Sequence, residues 1–204
     1  MNVACNTKET RRIRSMVCEP LTGVVLEIGF GTGLNLPHLP SSVTRLRAVD
    51  PLQKGRELAE ERLAESPVAV DFVGLDGQSL ELEDGSVDAA LSTWTLCTIP
   101  DARAAVREVG RVLRPGGTFH FAEHGRAPDG KVRRWQDRLN GVQQCVACGC
   151  NLNRDIAAII QEGGMTLTSL DMFYAKGDPK ILGWTYRGTA QVTLSGVDQP
   201  SRSP

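Results

Sequence analysis

Three glycines at alternate positions follow an acidic residue in the segment LEIGFGTGLN, residues 26–35. Gly29, Gly31 and Gly33 come directly after an apolar run, and Glu27 stands two residues before the first of them. Glycine allows strained backbone angles and lets a ligand approach the main chain, because no Cβ stands in the way. A turn of this kind after a strand is a candidate site for a phosphate or a nucleoside.

Two ligands fit such a turn, a dinucleotide and S-adenosylmethionine. The dinucleotide fingerprint G-x-G-x-x-G requires a third glycine where this chain has Leu34. A phosphate-binding loop is disfavoured, because no G-K-S/T sequence follows. Glu27 would repel a pyrophosphate and suits a ligand with a cationic amino group. The pattern E-x-G-x-G-x-G therefore favours S-adenosylmethionine, although the glycine count alone leaves NAD open.

Two further acids stand at the ends of predicted strands. Asp50 ends the strand predicted at 45–49, where a carboxylate commonly holds a ribose hydroxyl pair. Asp76 follows the strand predicted at 68–73 and can accept a hydrogen bond from an adenine amine. A lone acid of this type is more often a solvated loop residue. Acids at the ends of three consecutive strands instead predict one ligand site.

These residues are positioned by alternating strand and helix patterns, which predict an α/β domain with a mainly parallel sheet. Strands are predicted at 24–28, 45–49, 68–73, 87–92 and 118–124, followed by an antiparallel pair at 165–174 and 188–195. Helices are predicted at 8–19, from near Leu34, at 52–65, from a cap at Asp101 to RPGG at 114–117, at 129–146 and at 154–162.

Composition limits the class of protein. The chain has 204 residues, of which 41% are hydrophobic and 23% charged, and its net charge is −1. These values are typical of one globular domain and predict no nucleic-acid partner. No apolar run approaches the roughly 20 residues of a membrane helix, and the N-terminal segment lacks a signal-peptide core. We expect a cytoplasmic monomer or weak dimer whose cysteines are mostly reduced.

Four segments resemble, in order and spacing, the class I S-adenosylmethionine-dependent methyltransferases: VLEIGFGTGLN, AVDP, GLDGQSLELEDGSVDAALSTWTLCTIPD and EVGRVLRPGGTFHFAEH. TLCTIPD, RVLRPGG, EH and GCNLNRD further resemble the branch that includes the microsomal alkyl-thiol methyltransferases and actinobacterial relatives. The resemblance implies a Rossmann-like fold, a seven-stranded, mostly parallel sheet with helices on both faces. We expect an N-terminal cap helix in 1–22, the methyltransferase domain in 23–195 and a flexible tail in 196–204.

The resemblance also implies which residues contact S-adenosylmethionine: Glu27, Gly29, Gly31 and Gly33 at its methionine part, Asp50 at the ribose, Asp76, Gly77 and Gln78 at the adenine, and Thr93, Trp94 and Leu96 at the sulfonium. Gly77 stands where many members have Ala or Glu, and Gln78 where many have an acid, so contact there would depend on backbone groups. The membrane-bound relatives carry an apolar N-terminal anchor that is absent from this sequence, so we do not expect their membrane location here.

His124 and Glu123 are candidate catalytic residues at the end of the strand predicted at 118–124. Methyl transfer from a sulfonium is an in-line displacement that depends on alignment and exclusion of water. A thiolate acceptor needs no base, whereas an oxygen or nitrogen acceptor more often does, and histidine titrates near neutral pH. Structural roles, with Glu123 as a cap or ion pair and His124 ordering a loop, are equally compatible with the sequence.

The segment CVACGC at 145–150 raises the question of a metal site. Cys145 and Cys148 have C-x-x-C spacing, but a structural zinc site requires four ligands and no His or Cys follows Cys150. We therefore predict no metal, and a turn near the active site in which the thiols are packed or incidental.

The helix predicted at 129–146 has an apolar stripe opposite a basic face. The stripe consists of Val132, Trp135, Leu139, Val142 and Val146, and the basic residues are Lys131, Arg133, Arg134 and Arg138. The pattern predicts a core-facing stripe with a solvated basic face. The alternative is a lid over a lipophilic substrate that touches a membrane surface weakly, with Trp135 as its anchor.

The sequence therefore predicts methyl transfer from S-adenosylmethionine to a small, apolar acceptor, with a thiol as first choice. A lipid or quinone-like oxygen or carbon is the alternative acceptor. A non-catalytic S-adenosylmethionine-binding regulator and an NAD-dependent dehydrogenase are the rival functions.

Overall fold

The structure is a computed structural model that describes residues 5–147 and 149–193. Its strands are β1 Gly23–Ile28, β2 Val43–Val49, β3 Ala69–Gly74, β4 Val87–Thr93, β5 Leu113–His124, β6 Met165–Tyr174 and β7 Trp184–Val192. Its helices are α1 Lys8–Cys18, α2 Gln53–Glu57, α3 Glu60–Glu65, α4 Ala102–Val112, α5 Gly130–Val146, α6 Ile156–Glu162 and α7 Lys180–Gly183. Cys148, the predicted tail 196–204 and the end of the strand predicted at 188–195 lie outside the described residues.

The seven strands form one sheet in the order β3-β2-β1-β4-β5-β7-β6. Only β7 runs antiparallel, pairing with β5 on one side and β6 on the other. The predicted seven-stranded, mostly parallel sheet is therefore confirmed. Strand order reverses between β1 and β4, and ligands of open α/β sheets bind at the carboxyl ends of the strands at such a point.

Apolar residues on the two faces of the sheet form two separate cores. Leu26 and Ile28 of β1 pack into the core that contains α4 and α6, whereas Val25 belongs to the core that contains α1. This alternation is expected of a strand that is buried on both faces. The helices therefore cover both faces of the sheet, and Glu27, which shares a face with Val25, points toward the α1 side.

Helix α4 begins as the sequence predicts, because the side chain of Asp101 accepts a hydrogen bond from the backbone N–H of Ala104. It ends at Val112, but RPGG at 114–117 is a bulge within β5 and not a turn before it. Val87 of β4 pairs with Leu113, and the next recorded pair joins Ala89 to Thr118.

The helix predicted at 52–65 is divided into α2 and α3 at Leu58 and Ala59. A Cβ at Gly55 would lie 2.6 Å from the carbonyl oxygen of Gly31, so α2 packs directly on the glycine turn. The helical start predicted near Leu34 is only a 3₁₀ turn, Leu36–His38. Helix propensity does not indicate where two backbone segments approach each other this closely.

Helix α5 presents its apolar stripe to solvent, and the prediction of a core-facing stripe is wrong. Trp135 is 54% exposed, Val142 59% and Val146 74%. The side that faces the protein is polar instead. Gln136 is fully buried, with its amide bonded to the backbone of Ala127, Gly125 and Ile181.

No helix within residues 5–147 and 149–193 combines the length and apolar character needed to cross a bilayer.

Candidate cofactor and methyl-transfer site

The glycine turn is strained in a way that only glycine tolerates well. Gly29, Gly31 and Gly33 have φ angles of 76°, 57° and 71°. A Cβ at Gly29 would also lie 2.0 Å from Oγ1 of Thr95, in the loop that follows β4. The turn after β1 and the loop after β4, which are the two walls of the predicted site, are therefore in direct contact.

Glu27 has one carboxylate oxygen without a partner in the described part of the chain. Its Oε1 accepts a hydrogen bond of 2.7 Å from Nδ2 of Asn35, whereas its buried Oε2 has none. Burial raises the pKa of Glu27 to about 7. An unpaired buried carboxylate oxygen is costly, and a ligand ammonium group would satisfy both its charge and its hydrogen-bonding capacity.

Arg14 of α1 reaches the same place, and the sequence analysis missed it. Its Nη1 donates to Oδ1 of Asn35 at 2.7 Å and to Oγ1 of Thr93 at 2.6 Å. Its guanidinium carbon lies 4.8 Å from the centre of the Trp94 ring. One signal was present in the sequence, since position 14 shares a helical face with the buried Thr10 and Val17.

Asp50 is fixed beside the glycine turn by backbone donors. Its Oδ2 accepts from the N–H of Gly31 at 2.7 Å, and its Oδ1 accepts from the N–H of Leu52 at 2.8 Å. A carboxylate has about four lone-pair sites, so acceptor capacity is left for two hydroxyl groups of a ribose.

Asp76, Gly77 and Gln78 lie after β3. Oδ1 of Asp76 accepts from both the backbone and the side-chain amide of Gln78, at 2.8 and 2.9 Å, and Oε1 of Gln78 accepts from the N–H of Asp101. A Cβ at position 77 would lie 3.5–3.8 Å from side-chain atoms of Ile99 and Ile28. These apolar side chains form a floor that suits a flat base. A cavity of about 710 Å³ beside β3 includes Asp76 but none of the turn glycines.

The chain turns sharply after β4. Trp94 has a φ of 52°, the one positive φ of a non-glycine residue in the part of the chain that the structure describes. Strain of this kind concentrates at functional sites. Thr93 faces Arg14 as described above. Leu96, predicted to line the sulfonium, is fully buried in the core that contains α4.

Glu123 and His124, the predicted catalytic residues, end β5. Oε1 of the fully buried Glu123 accepts from Oγ of Ser92 at 2.7 Å and from the N–H of Thr95 at 2.9 Å. Burial raises the pKa of Glu123. Its contacts hold the loop after β4 in place.

His124 lies against two cysteines, Cys97 and Cys150, that were not predicted as site residues. Its Nε2 is 3.3 Å from Sγ of Cys150, which is 3.5 Å from Sγ of Cys97. Hydrogen bonding to Cys97 and His124 outweighs burial and holds the pKa of Cys150 well below its usual range. Burial opposes the charge on His124, but the neighbouring Cys150 and Glu123 raise its pKa.

The motif GCNLNRD at 149–155 ties Cys150 to the loop after β4. The backbone and side-chain amides of Asn151 both donate to the carbonyl of Cys97, at 2.8 and 3.0 Å. The guanidinium of Arg154 donates to the carbonyls of Leu96 and Ile99. The two segments that carry the cysteines are therefore held together by several hydrogen bonds.

Comparison with known proteins shows which class of protein this fold and sequence resemble. Residues 26–121 match the family described as "Methyltransferase domain". A SAM-dependent methyltransferase from Methanosarcina mazei superposes with a TM-score of 0.63 at 18% identity, covering 83% of this chain and 92% of that one. Geranyl diphosphate methyltransferase in complex with SAM gives 0.66 at 13% identity, covering 89% and 83%. Residues 26–121 therefore match a methyltransferase domain, and the solved structures show that the chain has the class I methyltransferase fold that the sequence resemblance implied.

Proteins with similar sequences include methyltransferases named for different acceptors. The chain is 35% identical over 135 residues to thiol S-methyltransferase TMT1A of Homo sapiens, covering 64% of this chain and 55% of that protein. It is 30% identical over 151 residues to thiol S-methyltransferase TMT1B of Rattus norvegicus, covering 72% and 62%. Demethylmenaquinone methyltransferase of Clavibacter sepedonicus is 32% identical over 113 residues, covering 55% and 46%. The chain thus spans about half to three fifths of the length of these relatives.

Replacing Glu27 should change how stability depends on pH. Because the pKa rises from 4.5 to about 7 on folding, the stability that Glu27 contributes is present below pH 4.5 and is lost as pH rises through 7. Glu27→Gln should raise the free energy of unfolding above that of the native chain, and more so at pH 8 than at pH 5. We expect the increases at the two pH values to differ by about 2–3 kcal/mol. Urea denaturation at both pH values measures this difference. The exposed Glu60→Gln is the matched control, and equal differences for the two variants would contradict the expectation.

Proposed function

We propose that this protein transfers a methyl group from S-adenosylmethionine to the sulfur of a small, apolar thiol. The observation that carries the methyl-donor part is the unpaired, buried Oε2 of Glu27 beside the strained glycine turn. The thiol acceptor is supported by the thiol S-methyltransferases among the relatives.

The cofactor would be held by groups at the carboxyl edge of β1, β2 and β3. Glu27 would bind the ammonium group and Asp50 the ribose hydroxyls. Gly29, Gly31 and Gly33 would surround the methionine part, and Asp76, Gly77 and Gln78 would border the adenine. Thr93 and Trp94 would lie near the sulfonium. Leu96 would support that wall from the core and not contact the ligand.

When bound, S-adenosylmethionine supplies an electrophilic methyl group on a sulfonium. The chain must align a nucleophile with it and exclude water. His124 would take the proton of the acceptor thiol. The acceptor would thereby be held as a thiolate, which is the nucleophilic form of a thiol. Glu123 would act as the second catalytic group by fixing Thr95 and the loop around the reacting atoms.

Two other functions share the same site. A lipid or quinone-like oxygen or carbon acceptor is favoured by the demethylmenaquinone methyltransferase relative. A regulator that binds S-adenosylmethionine without turnover would need only the cofactor residues. The cytoplasmic location and the monomeric or weakly dimeric state stay predictions of the sequence.

Calorimetry with S-adenosylhomocysteine tests the cofactor site. Because Asp50 would accept charge-assisted hydrogen bonds from the ribose, we expect Asp50→Ala to weaken binding about 10–100-fold. Asp171→Ala, an exposed aspartate on β6, is the matched control and should bind like the native chain. Binding of NADH in place of S-adenosylhomocysteine, or an unchanged affinity of Asp50→Ala, would refute this placement of the cofactor.

A panel of acceptors tests the reaction. The protein is mixed with methyl-labelled S-adenosylmethionine and apolar thiols, phenols or quinones. We expect label on the thiols and, at limiting cofactor, about tenfold less with Asp50→Ala, because less cofactor is bound. Label only on quinones or phenols would favour the alternative acceptor, and label on none would favour the regulator.

We also propose that α5 lies on an anionic membrane surface. Its exposed stripe, defined by Trp135, Leu139, Val142 and Val146, offers apolar area at helical spacing. Lys131 and Arg138 flank the stripe, and the guanidinium of Arg138 lies 5.6 Å from the Trp135 ring centre. An apolar face with a basic border is the pattern of helices that lie in the plane of an interface. This placement would bring a lipophilic acceptor close to the site.

Vesicle sedimentation tests the membrane proposal. We expect binding to phosphatidylcholine vesicles only when phosphatidylserine is included, and loss of about tenfold in partitioning for Trp135→Ser, because burying one large apolar side chain contributes about 1.5–3 kcal/mol. Met172→Ser removes another exposed apolar side chain, on β6, and should not change binding. Equal partitioning of both variants would argue against α5 as the contact.

A further inference from the structure

Three buried side chains from separate parts of the chain converge beside the proposed acceptor site. Cys97 lies in the loop after β4, His124 ends β5, and Cys150 lies between α5 and α6. One ligand atom from each, two sulfurs and a ring nitrogen, lie within 4.8 Å of one another, and all three side chains are buried. No role assigned so far requires both cysteines.

Two of the three distances among these atoms are those expected between metal ligands. In a tetrahedral zinc site the Zn–S distance is about 2.3 Å and the Zn–N distance about 2.0–2.1 Å, which places neighbouring ligand atoms about 3.3–3.8 Å apart. The two sulfurs are 3.5 Å apart, and Sγ of Cys150 is 3.3 Å from Nε2 of His124. The third pair, Sγ of Cys97 and the ring nitrogen of His124, lies within 4.8 Å, so a cation could enter if these two groups moved closer together.

We propose that Cys97, His124 and Cys150 bind a thiophilic divalent cation of the zinc class. Thiolate and imidazole are the ligands that such cations prefer over magnesium or calcium. A site with three protein ligands leaves a fourth position for water or a substrate, as catalytic zinc sites do.

The surroundings hold the ligands in this arrangement. The backbone and side-chain amides of Asn151 both donate to the carbonyl of Cys97. Arg154 anchors the carbonyls on either side of Cys97.

These ligands differ from the pair that the sequence suggested. Cys145, one half of the C-x-x-C pair, is exposed on α5 and belongs to no ligand group formed within residues 5–147 and 149–193. The expectation of no metal followed from sequence spacing, which cannot bring positions 97, 124 and 150 together.

A bound cation would change the role of His124. As a ligand it could not accept the acceptor's proton, and a thiol in the fourth position would instead lose its proton to water on coordination. This last step rests on the proposed thiol acceptor. Cation binding itself does not, because it can be measured without acceptor or methyl donor.

Metal titration tests the site. The purified chain is stripped with a chelator under reducing conditions, and Zn²⁺ or Co²⁺ is added. We expect one equivalent to bind, with a thiolate-to-cobalt absorption in the near ultraviolet. Cys97→Ser and Cys150→Ser should weaken binding by more than the 10–100-fold that is typical when a residue supporting a metal ligand is replaced, whereas Cys145→Ser should bind like the native chain. No stoichiometric binding, or equal binding by all variants, would overturn the proposal.

Two measurements keep the test valid if a variant is unstable. Binding of S-adenosylhomocysteine reports whether each variant is folded. Because it would depend on other residues, it can be retained when cation binding is lost. In the native chain, Zn²⁺ should protect Cys97 and Cys150 from alkylation and from peroxide-driven disulfide formation, as read by peptide mapping. Equal modification of both cysteines with and without Zn²⁺ would overturn the proposal and would indicate a redox pair instead.

Discussion

The contact between Gly29 and Thr95 is the constraint on which the cleft depends. Oγ1 of Thr95 would lie only 2.0 Å from a Cβ at position 29, so the loop after β4 can reach the turn after β1 only because that position is glycine. The N–H of Thr95 is held in turn by the buried carboxylate of Glu123. The wall toward the acceptor is therefore defined by packing on one side and by a charge-assisted hydrogen bond on the other.

Buried charge is concentrated at this contact. Glu27, Arg14 and Glu123 are each nearly inaccessible to solvent, and each leaves one polar atom without a partner among residues 5–147 and 149–193. Such groups cost stability in a chain that is only marginally stable, and natural proteins retain this cost mainly at functional sites. This cost lies where the cofactor site is proposed, and a ligand ammonium group beside Glu27 would reduce it by satisfying the buried carboxylate oxygen.

The local sequence pattern was sufficient to predict the fold and the position of residues next to strand ends. Asp50 and the turn glycines could be placed because they directly follow β2 and β1, and parallel strands bring such ends together. The burial of Leu96 could not be predicted, because the sequence does not indicate a positive φ at Trp94, a residue type that rarely adopts one. Helix α5 was misoriented because periodicity identifies an apolar face but not what it contacts. Cys97 and Cys150 are 53 positions apart, and only the tertiary structure shows that they meet.

The position of Arg14 has a consequence for the energetics of ligand binding. Helix α1 is connected to the cleft through this side chain, which bonds with Asn35 and Thr93 and lies over Trp94. Asn35 in turn donates to Glu27, so docking of the helix is thermodynamically linked to the state of the Glu27 carboxylate, the proposed partner of the ligand ammonium group. A ligand that binds only when α1 is docked stabilises the docked helix by mass action. Once the undocked state predominates, each 1.4 kcal/mol that disfavours docking of α1 therefore lowers the apparent affinity for this ligand about tenfold. This holds although α1 lies outside the glycine turn.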